Sequence, residues 1–180
     1  MILLAAQTIQ NNTQTSTFLG ESWGFWCQFM LIAITAAIAI YTLRINEKRA
    51  RRRATIDLVL SENQDEKFRD IKEKYALMRE QGVNFTLLSC DPDDSEVRKK
   101  EIADQKETII AILNQYEFIA SAIFENSLDE NLYKRMKKSV LIREWEVLSG
   151  FVTELRRKEG RDKLFCETEN LVIKWKNEKK

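Results

Sequence analysis

Glu117 and Asn114 stand one helical turn apart within the apolar stretch 109–123, and Arg143 interrupts a second such stretch at 140–148. A carboxylate withdrawn from water needs a cation, a hydrogen-bond donor or a raised pKa. Asn114, Glu117 and Arg143 are therefore the candidate buried polar residues. Two roles fit Glu117: an acid that moves a proton, or half of a structural ion pair with Arg143. Most other chemistry is absent. The chain has no histidine, so Ser-His-Asp and Cys-His catalysis and every His-containing zinc site are excluded. Its three cysteines, Cys27, Cys90 and Cys166, share no CxxC spacing and are too few for a four-thiolate site. They read as free buried thiols in a reducing compartment.

Asp91-Pro92-Asp93-Asp94 is acidic enough to suggest calcium. An EF-hand loop needs acids at alternate positions, a Gly at the sixth and a Glu at the twelfth. That spacing and the Gly are missing. The segment reads instead as the entry to a helix capped by Asp93, Asp94 or Ser95. There is no P-loop, GxGxxG or nucleophile elbow. No enzyme, metal, cofactor or small-molecule substrate is expected.

The elements that would position these residues have two solvents. Residues 1–43 carry one charged side chain, Glu21, whereas residues 44–180 carry all 29 Lys and Arg and 27 of the 28 Asp and Glu. Residues 24–43 hold no charge at all. Twenty helical residues rise about 30 Å, the thickness of a hydrocarbon core. Trp23, Phe25 and Trp26 mark one end and Tyr41 the other, as interfacial aromatics do. The expected span is 23–43. A cleaved signal peptide fits poorly, because positive charge follows the apolar stretch rather than preceding it.

Arg44, Lys48, Arg49, Arg51, Arg52 and Arg53 make residues 44–53 a basic juxtamembrane segment, with Glu47 its one acid. The positive-inside rule then puts the tail, residues 1–22, outside and residues 54–180 in the cytoplasm. The six cations are expected to touch anionic headgroups. Nucleic acid is not expected, since interleaved aromatics are lacking. Ala33 and Ala37 form a small-xxx-small pair suited to self-association of the span. Asn11-Asn12-Thr13 matches a glycosylation acceptor, which matters only in a eukaryotic lumen.

Beyond the basic run, five Gly and one Pro leave room for long helices. The membrane helix is expected to continue to about residue 60. Phe68, Ile71, Tyr75 and Met78 recur at helical spacing, with Gly82 as a stop. Residues 83–88 are the best strand candidate. A long third helix, about 95–125, carries the stripe Ile109, Ile112, Leu113, Tyr116, Ile119, Ala120 and Ile123, the expected centre of the core. Ser127-Leu128-Asp129-Glu130 reads as a capping box. Leu132, Tyr133 and Met136 follow, then a break near Ser139. Leu141, Trp145, Leu148, Val152 and Leu155 come next, up to Gly160. Asp162 is expected to cap a last helix with Leu164, Phe165, Leu171, Val172 and Trp175. The fold class is all-α: one transmembrane helix continuing into a cytoplasmic antiparallel bundle of about five helices.

Arg53-Ala54-Thr55-Ile56-Asp57-Leu58 after a basic stretch resembles the opening of the bacterial DUF4760 family. Residues 112–120, ILNQYEFIA, followed by Asp129-Glu130, resemble that family's central signature, which Asn114 and Glu117 match. The resemblance covers roughly residues 30–165 and implies a bacterial membrane protein; the expected location is the bacterial inner membrane. It supplies no reaction. The functional expectation is a membrane-anchored helical module that binds a protein partner or itself at an anionic bilayer surface. The alternative is a membrane effector in phage exclusion or defence that oligomerises through its span.

Overall fold

A computed structural model describes residues 17–18, 21–89 and 96–178. Most of the tail with Asn11-Asn12-Thr13, Cys90, and the acidic loop with Asp93, Asp94 and Ser95 lie outside the described residues. The chain divides into two compact units between Glu47 and Lys48.

In the first unit a two-residue antiparallel ladder pairs β1 (Thr17–Phe18) with β2 (Glu21–Ser22). Helix α1 (Trp23–Gln64) follows, 42 residues without a break. Thr35 and Thr42 return their hydroxyl protons to the carbonyls of Leu31, Ile32 and Ile38, so neither needs a partner outside the helix. Among the described residues α1 is the helix long and apolar enough to cross a membrane. Cys27 is exposed on it, not buried, because the apolar part of α1 has no protein packed around it.

The second unit is a helical bundle of α2 (Glu66–Glu80), α3 (Glu96–Phe124), α4 (Glu130–Glu159), α5 (Cys166–Asn177) and the end of α1. Helix α3 packs on α2 and α5, and α4 packs on α5. Helices α4 and α5 run antiparallel, so that Lys174 near the end of α5 meets Glu130 at the start of α4, and Glu169 meets Arg156. The stripe on α3 is the core: Ile109, Leu113 and Ala120 are fully buried, with Ile112, Ile119 and Ile123 beside them. They share one cluster with Leu141, Leu148, Phe151, Val152 and Leu155 of α4 and Leu171, Val172 and Trp175 of α5. The end of α1 meets the bundle through side chains, with Thr55 and Glu62 buried there.

Several local expectations are corrected. Residues 83–88 do not form a strand. Phe85–Ser89 is a 3-10 turn whose three-residue repeat buries Phe85 and Leu88 on one side. Helix α4 is not broken at Ser139, because a single Ser costs little helix propensity and apolar residues continue on both sides. Its cap is Asp129, whose Oδ1 accepts from the Leu132 amide at 2.9 Å, and not Ser127. The Ser127 amide instead closes the end of α3 on the Ala122 carbonyl. Asp162 does not cap α5. That helix starts four residues later, after Phe165 in the left-handed region at φ 58, and the Phe165 side chain offers it no capping bond. Gly160, at φ 63, does end α4.

The 3-10 turn presses on α4 at Gly150, where an added Cβ would sit 2.6 Å from the Thr86 hydroxyl. Gly in an open helix interior costs about 1 kcal/mol relative to Ala. Gly150→Ala alone is expected to withhold most of that gain, and Gly150→Ala with Thr86→Ala to release it. Chemical denaturation of the two variants checks this, and a full gain in the single variant would contradict the contact.

Candidate functional site

Many polar side chains of the bundle gather at carboxylate seams that join elements distant in sequence, and four of these hold the better-shielded carboxylates. The first begins at Glu117. Its Oε1 accepts from the Glu167 amide at 3.0 Å, and its Oε2 accepts from the Thr168 amide and hydroxyl, both at 2.8 Å. A carboxylate on α3 thus caps the N-terminus of α5, where orphan amides and the helix dipole favour negative charge. Thr168 is fully buried there.

The second seam is the acidic pair before α4. Asp129 caps α4, accepts from Arg52 Nε at 3.1 Å through Oδ2, and donates its amide to the Thr55 hydroxyl at 2.9 Å. Glu130 accepts from Lys174 Nζ at 2.7 Å and Trp175 Nε1 at 3.0 Å. Burial works to raise both carboxyls, but the Leu132 amide and Arg52 hold Asp129 below its ordinary 3.8. Lys174 and Trp175 do the same for Glu130, below 4.5. A carboxyl depressed on folding contributes stability that is present above its unfolded pKa and lost as pH falls through its folded one. Stability is therefore expected to fall as pH drops below about 4.5, and Asp129→Asn with Glu130→Gln to flatten that slope. Denaturant midpoints measured between about pH 6 and 3 check it; an unchanged slope in the double variant would contradict these assignments.

The third seam is buried. Glu144, 5% exposed, accepts from the Tyr75 hydroxyl at 2.7 Å and, through its other oxygen, from Arg79 Nη1 at 2.8 Å. Arg143 reaches the oxygen that Arg79 holds, at 3.3 Å. Burial, then the Glu144 carboxylate, pushes the Tyr75 phenol far above its usual range, so it remains a donor. Burial does the same for Tyr116, which feels the charges of both Glu144 and Glu62.

The fourth seam centres on Glu62 of α1, also buried. It accepts from Gln115 Nε2 at 3.1 Å, and Lys137 Nζ lies 3.7 Å away. Burial lowers the pKa of nearby Lys72, and Glu62 opposes that shift.

These placements correct the sequence expectations. Arg143 does not pair with Glu117 and is not buried: its side chain is 62% exposed, held to its neighbour Glu144. Asn114 is exposed too, because it points away from the core stripe of α3. Glu117 is half-buried and satisfied by donors of α5. Arg44, Lys48, Arg49 and Arg53 are exposed on α1, Arg51 is half-buried, and Arg52 is committed to Asp129. Ala33 and Ala37 are exposed on α1.

Sequence reasoning passes over Glu144 and Glu62, although both carry a signal. Glu144 lies three residues after Leu141 and four before Leu148, on the buried stripe of α4. Glu62 follows Leu58 and Val59 by four and three.

Among the described residues no group of His, Cys, Asp or Glu could hold a metal ion. Cys166 is half-buried rather than a core thiol, because it opens α5 at the bundle surface. Burial, then Glu117 and Glu167, raises its pKa, and a thiol kept neutral is a weak nucleophile. Each of the four seams ties helices together through carboxylates that already have donors.

An all-α chain whose first helix begins with an apolar stretch and whose remaining helices are joined by carboxylate seams is a helical-bundle protein with, among its described residues, one candidate membrane span. The chain belongs to the DUF4760 family, whose domain of unknown function it matches over residues 29–175. No curated protein and no solved structure matches the chain.

Proposed function

We propose that this protein is a membrane-anchored interaction module whose bundle binds a protein partner, or another copy of itself, at the inner surface of a bacterial membrane. One observation carries the reading. The carboxylates that could do chemistry are engaged in holding helices, while large apolar side chains stand out from the same bundle. Leu87 is 66% exposed, Phe118 60%, and Leu77 and Ile173 50% each. Withdrawing these side chains from water against another macromolecule would be favourable.

In this reading α1 crosses the bilayer over 23–43 with its N-terminus outside. Arg44, Lys48, Arg49 and Arg53 lie among anionic headgroups. The Ala33/Ala37 face is the seam along which two spans approach, which is also what an oligomerising effector would use.

The test is the mass and composition of the complex extracted from native membranes in mild detergent. A discrete complex, with a stoichiometric partner or several copies, is expected. A monomer that carries nothing would contradict it. Protease accessibility of tags at each terminus checks the orientation.

A further inference from the structure

Helix α4 carries a run of one charge. Residues 131–143 hold Lys134, Arg135, Lys137, Lys138 and Arg143 and no acid, in a chain of 29 basic and 28 acidic side chains. Residues three and four apart are neighbours on a helix, so like charges at those spacings repel. Lys134 and Lys138 are four apart, and Arg135 and Lys138 three. Three of the five cations have carboxylates beside them. Lys134 pairs with Glu178, Lys137 lies 3.7 Å from Glu62, and Arg143 reaches Glu144 at 3.3 Å. Among the described residues Arg135 and Lys138 have no carboxylate partner, although Lys138 is half-buried.

These two cations line a shallow cleft of about 580 Å³ on α4, together with Lys134, Ser139, Ile142, Arg143 and Glu146. Glu146, the one acid in its walls, is held by Lys176 at 2.7 Å. Lys134 is matched by Glu178, and Arg143 shares Glu144 with Arg79. The cleft therefore keeps a surplus of at least two positive charges, from Arg135 and Lys138. Ser139 stands four residues after Arg135, on the same face of the helix, and Ile142 gives the cleft a half-buried apolar wall.

We propose that this cleft binds a phosphate monoester. The charge surplus selects the class. A monoester carries about −1.5 to −2 at neutral pH and offers three acceptor oxygens, whereas a carboxylate or a phosphate diester brings a single negative charge. The Arg135 guanidinium is a fork that matches two phosphate oxygens, Lys138 supplies a compact charge, and Ser139 a hydroxyl donor. The carbon side of the ester meets Ile142. Two sources present this group: phosphatidic acid in a bilayer and a small phosphomonoester in solution. The inference goes beyond the proposed function and needs no protein partner.

The test has one arm for each source. In the first, full-length protein in phosphatidylcholine nanodiscs is titrated with glycerol phosphate by calorimetry. In the second, the protein is extracted in mild detergent from membranes holding phosphatidic acid and phosphatidylglycerol, and the lipids retained per chain are measured. Saturable binding in the first arm, or stoichiometric phosphatidic acid in the second, is expected, and the arm that responds identifies the source. Arg135→Gln with Lys138→Gln is expected to weaken that response about tenfold or more. Lys67→Gln with Arg69→Gln, which removes the same charge from exposed positions of α2, is expected to leave it unchanged. Binding of glycerol phosphate is expected to tighten as pH rises through about 6, where its second proton leaves. Should the half-buried Lys138 prove necessary for folding, Arg135→Gln with Ser139→Ala, both exposed, takes its place. No saturable response in either arm, or equal losses from the α2 pair, overturns the site and makes the run a solvated face. Equal binding of dimethyl phosphate, or of phosphatidylglycerol, overturns the assignment to a monoester. Either result leaves the interaction module standing.

Discussion

Trp175→Ala is expected to cost about 3–5 kcal/mol, more than any other single truncation in the bundle. Trp175 is fully buried and packs against Tyr133 with ring centroids 6.4 Å apart. Its indole also donates to Glu130. Truncation would leave a cavity where α3, α4 and α5 converge and remove one of the two donors that satisfy Glu130. A typical domain has only about 5–15 kcal/mol of stability. The variant is therefore expected to lose α5 packing, seen as a much lower denaturant midpoint and early exchange of the α5 amides. Trp175→Phe keeps most of the volume and loses the donor, so it should recover roughly half of the loss. A Trp175→Ala protein as stable as the parent would show that α5 does not close the core.

The second large effect is at Glu144. Glu144→Ala is expected to cost about 3 kcal/mol, the low end for breaking a buried pair. The figure is not higher because Arg79 is one-third exposed and can turn to water, whereas the buried Tyr75 loses the acceptor of its hydroxyl. Glu144→Gln keeps an acceptor for that hydroxyl and is expected to cost about half as much, since charge assistance roughly doubles a hydrogen bond. Arg143→Ala should barely matter, because the Arg143 side chain is mostly in solvent. Equal losses for Arg143→Ala and Glu144→Ala would contradict this ranking, which thermal or urea unfolding can check.

How much of this is readable from the chain depends on the range of the interaction. The α3 stripe and the α4 stripe are legible because helical periodicity records burial within a single element. The apolar helix and its basic border are legible for a similar reason: composition alone separates them. The seams are not. Glu117 stands out in the sequence as a carboxylate among apolar residues, but its partners are backbone amides 50 and 51 residues away, and amides carry no residue signature. Arg143 looks like its partner because it too interrupts an apolar stretch, yet it lies at the edge of α4 while Glu144 turns inward. At the start of α4, Ser127 and Asp129 both have capping side chains. Which one acts depends on where α3 ends, and a motif of four residues does not record that. The left-handed Phe165 has no residue type that announces it, and its ring is buried in the core.

Of the residues that carry the family resemblance, Thr55, Gln115, Glu117, Asp129 and Glu130 are members of the seams, whereas Asn114 is exposed and joins none of them. In the proposed function the seam residues hold a binding module in shape. Backbone hydrogen exchange of the full-length protein and of Glu117→Gln, read at Glu167 and Thr168, tests it most directly. A seam residue is expected to give markedly faster exchange at those two amides, with a loss of about 1–2 kcal/mol in stability and protection elsewhere in α3 unchanged. Unaltered exchange and stability in Glu117→Gln would mean that its carboxylate is free for another task, and would contradict the claim.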